Sequence, residues 1–302
     1  MYGCGVIIGL IIAGGSSYEA AILGFFTALF IQAGTFALND YCDLESDIAN
    51  RRMDRPLVRG DIRKEEALLI AILATVIGII FAVFLAVILE SLLLFLLALT
   101  LAALGILYDV KMKELLAVSN FYIAFTMAVP FIFGGLIAAP GRIEVLLLIL
   151  ILSSIAFLAG FGREVMKDIA DLKGDEVRDV RSVARIYGVE KAKNITIFSY
   201  SLAVILSVIP FFLVNTSYFH NPAYILPVMA ADALFVHTCF GLKLKPFGKR
   251  FDPKTIFWGE VFLFKKRFKR KEDIDYNYMR KETLIALVIG LIAFVCGALV
   301  CL

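Results

Sequence analysis

Asn39-Asp40-Tyr41-Cys42-Asp43-Leu44-Glu45-Ser46-Asp47 closes one long apolar run of this chain, and Lys167-Asp168-Ile169-Ala170-Asp171-Leu172-Lys173-Gly174-Asp175 closes another. On a helix, residues three and four apart share a face. Asn39, Asp43 and Asp47 therefore form one stripe with Asp40 at its edge, and Asp168, Asp171 and Asp175 form a second. Carboxylates stacked on one face repel unless a positive charge sits between them. Hard oxygen ligands in this number suit Mg²⁺, which is usually held by one or two carboxylates together with substrate phosphates. The two stripes predict a site for a magnesium-bound diphosphate at a membrane surface.

The apolar runs come from an unusual composition. The chain has 302 residues, of which 61% are hydrophobic, and a mean hydropathy of +0.87. Runs of about 20 apolar residues, each long enough to span a bilayer, recur along it. They lie at roughly 3–14, 20–41, 66–89, 91–108, 119–139, 143–165, 194–214, 222–242 and 283–302. With short loops between them, the expectation is one all-α integral membrane domain over residues 1–302 with nine transmembrane helices. No basic n-region or cleavage site marks a signal peptide. Five scattered cysteines lack metal-type spacing, and the two histidines lie far from the acidic stripes. Zinc and histidine chemistry are therefore set aside.

Charge gives the topology. Alternate loops, at 42–65, 109–118, 163–193 and 243–282, carry 29 of the 30 Lys and Arg residues; Arg142 alone lies on the other side. By the positive-inside rule the N-terminus and these four loops are cytoplasmic and the protein is a multi-pass cell-membrane protein. Both acidic stripes then fall on the cytoplasmic side. Each ends an inward-running span and leads into a basic stretch, Arg51-Arg52-Met53-Asp54-Arg55-Pro56 in one case and Arg178-Asp179-Val180-Arg181 in the other. This parallel suggests an internal pseudo-repeat.

Two stripes of like spacing at one membrane depth point to function, because membrane-edge carboxylates are costly. A departing diphosphate also needs cations. Arg51, Arg52 and Arg55 follow the first stripe, Lys167 adjoins the second, and Lys111 and Lys113 follow Tyr108. For any one of these, the bland alternative is an ordinary positive-inside charge. The run Lys265-Lys266-Arg267-Phe268-Lys269-Arg270-Lys271 reads as a belt for anionic lipid headgroups, not as a nucleic-acid site.

The first stripe, followed by Arg51, Arg52, Arg55 and Pro56, resembles the first signature of the UbiA superfamily of intramembrane prenyltransferases, and the second stripe resembles its second. The segment Leu107-Tyr108-Asp109-Val110-Lys111-Met112-Lys113, with Asn120 beyond, is similar to the family's Tyr/Lys connection. The resemblance implies nine helices in a ring around a central cavity, capped by cytoplasmic loops. It also implies Mg²⁺-dependent prenyl transfer from a prenyl diphosphate, of geranylgeranyl size, to a lipophilic or aromatic acceptor. Carried over by motif, Asn39, Asp43, Asp47, Asp168 and Asp171 would hold metal. Asp40, Arg51, Arg55, Lys111 and Lys167 would contact the diphosphate. Arg52, Tyr108, Lys113 and Asp175 are the catalytic candidates. Family members carry polar residues on the first helix, whereas residues 1–14 here offer none.

A CDP-alcohol phosphotransferase would place its Asp pairs within one helix and the next, not about 120 residues apart. A cation transporter would place ionisable groups near mid-membrane. The acceptor is not written in motifs that read the donor. A quinone precursor is the first expectation, and a glycerol phosphate ether lipid precursor is the alternative.

Overall fold

The computed structural model describes residues 2–49, 51–115, 118–138, 143–177, 182–243 and 276–299, with the backbone alone at 114, 173–177 and 277. Within these residues every regular element is a helix. They are α1 (Tyr2–Ile12), α2 (Tyr18–Ala49), α3 (Pro56–Arg59), α4 (Lys64–Ile88), α5 (Leu92–Val110), α6 (Val118–Ile137), α7 (Ile143–Val177), α8 (Val183–Tyr187), α9 (Val189–Ser207), α10 (Ile209–Phe212), α11 (Pro222–Lys243) and α12 (Tyr276–Leu299).

Among the described residues, eight helices are long and apolar enough to cross a membrane. The expected first span is instead the 11-residue α1, which at about 1.5 Å per residue reaches roughly half of the hydrocarbon core. Among the described residues α1 is thus a ninth apolar helix, too short to cross the core by itself. Two expected spans are longer than their apolar runs. The 20–41 run continues as a 32-residue α2, and the 143–165 run as a 35-residue α7. The acidic stripes thus ride on the same rigid helices that cross the membrane. The basic run at 265–271 and the Arg178–Arg181 stretch lie outside the described residues.

Successive helices pack in a ring. α1 lies on α2, α2 on α4, α4 on α5, α5 on α6, α6 on α7, α7 on α9, α9 on α11, α11 on α12, and α12 on α1. Outward faces are apolar; on α4 Leu69, Ile72, Val76, Ile80, Phe84 and Val87 are all exposed. An apolar belt of this extent is a lipid-facing surface rather than a water-facing one. Between α2 and α4 the short α3 turns the chain. It starts with Pro56 at its first position and stops at Gly60, whose φ of 80° is left-handed, the usual division of labour between these residues.

Besides closing the ring, α1 crosses to α6. Lipid is as apolar as leucine, so membrane helices gain most from close backbone approach at small residues. A Cβ at Gly134 would stand 1.9 Å from the Val6 carbonyl oxygen, and one at Gly9 would stand 2.2 Å from the Phe131 carbonyl oxygen. Both obstacles are backbone and cannot swing aside. Gly134→Leu is therefore expected to destabilise the protein by about 3 kcal/mol, the upper end for overpacking. Gly290→Leu, where nothing lies within 4 Å, should leave the melting temperature in detergent nearly unchanged. Equal melting temperatures for the two variants would contradict this account.

Candidate active site

Alternating chain direction brings the C-terminal ends of α2, α5 and α7 and the N-terminal end of α6 to one end of the bundle. Their polar side chains join there. Asn39 Nδ2 donates to Asp109 Oδ1 at 3.2 Å. Lys113 pairs with Asp43. Tyr108 Oη and Ser119 Oγ are hydrogen-bonded at 2.8 Å, and the Tyr108 ring stacks on Tyr122 with centroids 4.0 Å apart. Asn120 Nδ2 donates to Asp168 Oδ2 at 2.9 Å, which also accepts from the Val183 N–H at 3.2 Å. Two pairs of adjacent residues, Tyr108/Asp109 and Ser119/Asn120, therefore tie the first acidic helix to the second.

Asp40 and Asp47 share one counter-charge, and Asp171 has another. Arg55 Nη1 lies 2.5 Å from Asp40 and its Nε lies 3.9 Å from Asp47. Arg280 Nη1, on α12, lies 3.7 Å from Asp171. Lys167 Nζ reaches Glu164 at 3.2 Å rather than a stripe residue. Three expected cations make no direct bond to a stripe carboxylate among the described residues. Arg52 bonds Asp54 through Nε and Nη2 at 2.9 and 2.8 Å in an exposed pair, within electrostatic range of Asp40 and Asp47. These hydrogen bonds hold the Asp54 carboxyl at about 2. Arg51 is exposed at a left-handed φ of 52°, and Lys111 is exposed at the end of α5. Asp175 ends on the α7 backbone, and its side chain lies outside the described residues.

Asp109 was not a sequence candidate. It is 4% exposed, and its Oδ2 is buried without a partner among the described residues. An ionised carboxylate only accepts hydrogen bonds. Asn39 must therefore turn its NH₂ toward Asp109 and its carbonyl oxygen away. A lone Asp beside Tyr108 gives no periodic signal; only the packing of α5 on α2 reveals it. Arg163 and Glu164 were missed for a similar reason, since each read as part of a basic loop.

No three His, Cys, Asp or Glu residues converge on a metal position among the described residues. Lys113, Arg55 and Arg280 pair with Asp43, Asp40 and Asp171 instead. The donor set still fits Mg²⁺, because every group is a hard oxygen. The partnerless Asp109 Oδ2 and the outward-turned Asn39 carbonyl leave oxygen lone pairs spare.

Below this rim lies a chamber lined by α1, α2, α5 and α6, mostly apolar with a few polar groups, as small-molecule sites usually are. Its α2 wall includes Ala28, Gln32 and Thr35. Asn39 and Asp43 continue that face at a spacing of four. Tyr122 lines the top, and Ala98 and Phe133 lie at its far end. The Tyr108–Tyr122 stack sits where chamber and rim meet. Tyr2 also lines the chamber and donates to Thr126 Oγ1 at 2.7 Å. This corrects the expectation that residues 1–14 contribute nothing polar. A phenol counts as apolar in a hydropathy pass yet keeps a hydrogen-bonding tip.

An apolar chamber inside a membrane-helix ring, opening onto carboxylates and cations, defines an intramembrane enzyme for amphiphiles with anionic heads. The sequence model of the UbiA prenyltransferase family matches residues 4–258, and the chain belongs to that family of multi-pass membrane prenyltransferases. It is 42% identical over 300 residues to digeranylgeranylglyceryl phosphate synthase of Archaeoglobus fulgidus, covering 99% of this chain and 91% of that one. The fold superposes on a solved digeranylgeranylglyceryl phosphate synthase with a TM-score of 0.73, at 26% identity, over 98% of this chain and 92% of that one. It is also similar to a UbiA homolog from Archaeoglobus fulgidus bound to GPP and Mg²⁺, with a TM-score of 0.61, at 17% identity, over 97% of this chain and 95% of that one.

Proposed function

We propose that the protein transfers a geranylgeranyl group from its diphosphate to a glycerol phosphate ether lipid that already carries one such chain. The product is digeranylgeranylglyceryl phosphate. The observation that carries this reading is the 42% identity to a synthase of that product along 99% of the chain. It displaces the quinone precursor that the sequence alone put first. The chamber supports it, since a twenty-carbon chain reaches about one leaflet of the ~30 Å hydrocarbon core.

In this reading the donor's tail fills the chamber and its diphosphate lies at the rim. Asn39, Asp43, Asp168 and Asp171 would hold Mg²⁺, with Asp109 fixing the Asn39 amide. When bound, Mg²⁺ neutralises charge developing on the leaving diphosphate. Arg55 and Lys113 add positive charge at the same place. The bond from C1 to the diphosphate oxygen breaks, and pyrophosphate keeps the electron pair. The Tyr108 and Tyr122 faces steady the allylic cation through their π systems, and the chamber walls exclude water that would hydrolyse it. The acceptor hydroxyl oxygen then bonds to C1 and releases its proton. The concentration of Lys and Arg on alternate loops supports a cytoplasmic position for this rim.

The test is pyrophosphate release by purified protein from geranylgeranyl diphosphate with Mg²⁺, using three acceptors: geranylgeranylglyceryl phosphate, hydroxybenzoate and dihydroxynaphthoate. Release with the glycerol phosphate alone is expected. Release with an aromatic acceptor alone would replace this reading by a quinone-precursor one.

A further inference from the structure

α7 carries a second cationic group that the donor site does not use. Gly160 of α7 faces Met127 of α6, and Gly162 faces Tyr200 of α9. Arg163, Lys167 and Asp171 stand three, seven and eleven residues after Gly160, on the same side of the helix. Asp171 also meets Arg280 of α12, so this face borders both α6 and α12. Arg163 is 16% exposed, and Glu164 is 7% exposed. Glu164 accepts from Arg163 Nη1 and from Lys167 Nζ, both at 3.2 Å. Two cations share one carboxylate here, which leaves one net positive charge in the cluster, with Lys167 38% exposed at its outer edge and Arg163 more enclosed.

The unused part of Arg163 is specific. Nη1 is taken by Glu164, while Nε is buried with no partner among the described residues. The planar guanidinium fork suits two parallel hydrogen bonds to a phosphate. Arg280 holds Asp171 only at 3.7 Å, beyond hydrogen-bond length, and so retains donors. The cluster also borders the reaction: the Tyr108 hydroxyl lies in the electrostatic range of Asp43 and Asp109 on the donor side and of Glu164 on this side.

We propose that Arg163, with Lys167 and Arg280, binds the phosphate monoester of the acceptor lipid. This inference rests on the glycerol phosphate reading above. It divides the charges on α7: Asp168 and Asp171 go to the metal of the donor diphosphate, and the neighbouring cations Arg163, Lys167 and Arg280 go to the acceptor phosphate. The acceptor hydroxyl is thereby held beside C1.

The experiment compares geranylgeranylglyceryl phosphate with phosphate-free geranylgeranylglycerol as acceptors, for wild type, Arg163→Met, Arg163→Lys and Lys167→Met. The readout is the ratio of kcat/KM for the two acceptors. Calorimetry with Mg²⁺ and geranylgeranyl thiodiphosphate reads donor binding separately. Arg163→Met is expected to lower the ratio about 30-fold, through KM, as for a lost hydrogen bond to a charged group. Arg163→Lys should recover part of it, Lys167→Met should lower it less, and donor affinity should stay put. An unchanged ratio in Arg163→Met and Lys167→Met, or a matching loss of donor affinity, would overturn the subsite. A wild type that fails to prefer the phosphate-bearing acceptor would instead overturn the glycerol phosphate reading itself.

Discussion

Asp43→Ala and Asp168→Ala are each expected to lower kcat for prenyl transfer by about 10³-fold. The two carboxylates sit on different helices, α2 and α7, and neither can substitute for the other. Removing a single neutral hydrogen-bond donor from a transition state that develops negative charge costs about 10²–10³-fold; a metal-holding carboxylate should cost at least the upper figure. Stability should move little for Asp43. Its side chain is 32% exposed and its partner is Lys113, and a partly exposed ion pair contributes under ~1 kcal/mol once screened. Asp168 is more embedded, since it satisfies both Asn120 and the Val183 N–H. Asp168→Asn is the better variant there because it keeps an acceptor oxygen. Single-turnover rates beside melting curves decide the matter. A folded Asp43→Ala protein within tenfold of wild type would remove the diphosphate from this rim.

Ala98→Phe should reverse donor preference. Ala98 is 1% exposed and lines the far end of the chamber. It lies eleven residues before Asp109 on α5, or about 16 Å along the helix. Phe133 lies thirteen residues beyond Asn120 on α6, or about 20 Å. Four isoprene units fit that depth, and a phenyl ring at its end takes the place of the last. At about 0.8 kcal/mol per buried methylene, excluding one five-carbon unit costs about 4 kcal/mol, or roughly 10³-fold in kcat/KM. Geranyl diphosphate, with two units, stops short of the ring and should still react. Its turnover also reports that the variant folds. Parallel losses on both donors would show that the chamber floor does not measure chain length.

The membrane character and the two acidic stripes were readable because both depend on one-dimensional pattern. Apolar runs, loop charges and three-and-four spacing survive any arrangement of helices, so α2 and α7 were located with their stripes before their packing was known. The lengths of those helices were not readable in the same way. Hydropathy falls where Asn39 and Arg163 begin, yet the hydrogen-bond ladder of a helix does not depend on hydropathy. The cations were the least legible part. Arg52 and Arg55 are equivalent in a list of charges. The turn at Arg51 and α3 sends Arg52 to Asp54 and swings Arg55 back over Asp40 and Asp47.

Periodicity and composition alone determined that this chain is a helical membrane protein with two carboxylate faces at one membrane surface, because burial in lipid and helical spacing are local demands on sequence. Only the tertiary structure decided that Asp109 belongs with Asn39, that Ser119 and Asn120 join the two acidic helices, and that Arg163 keeps a free edge inside the bundle. These facts depend on which helix faces meet, and that is set by glycine-sized approaches such as Gly9 and Gly134 between elements far apart in the chain.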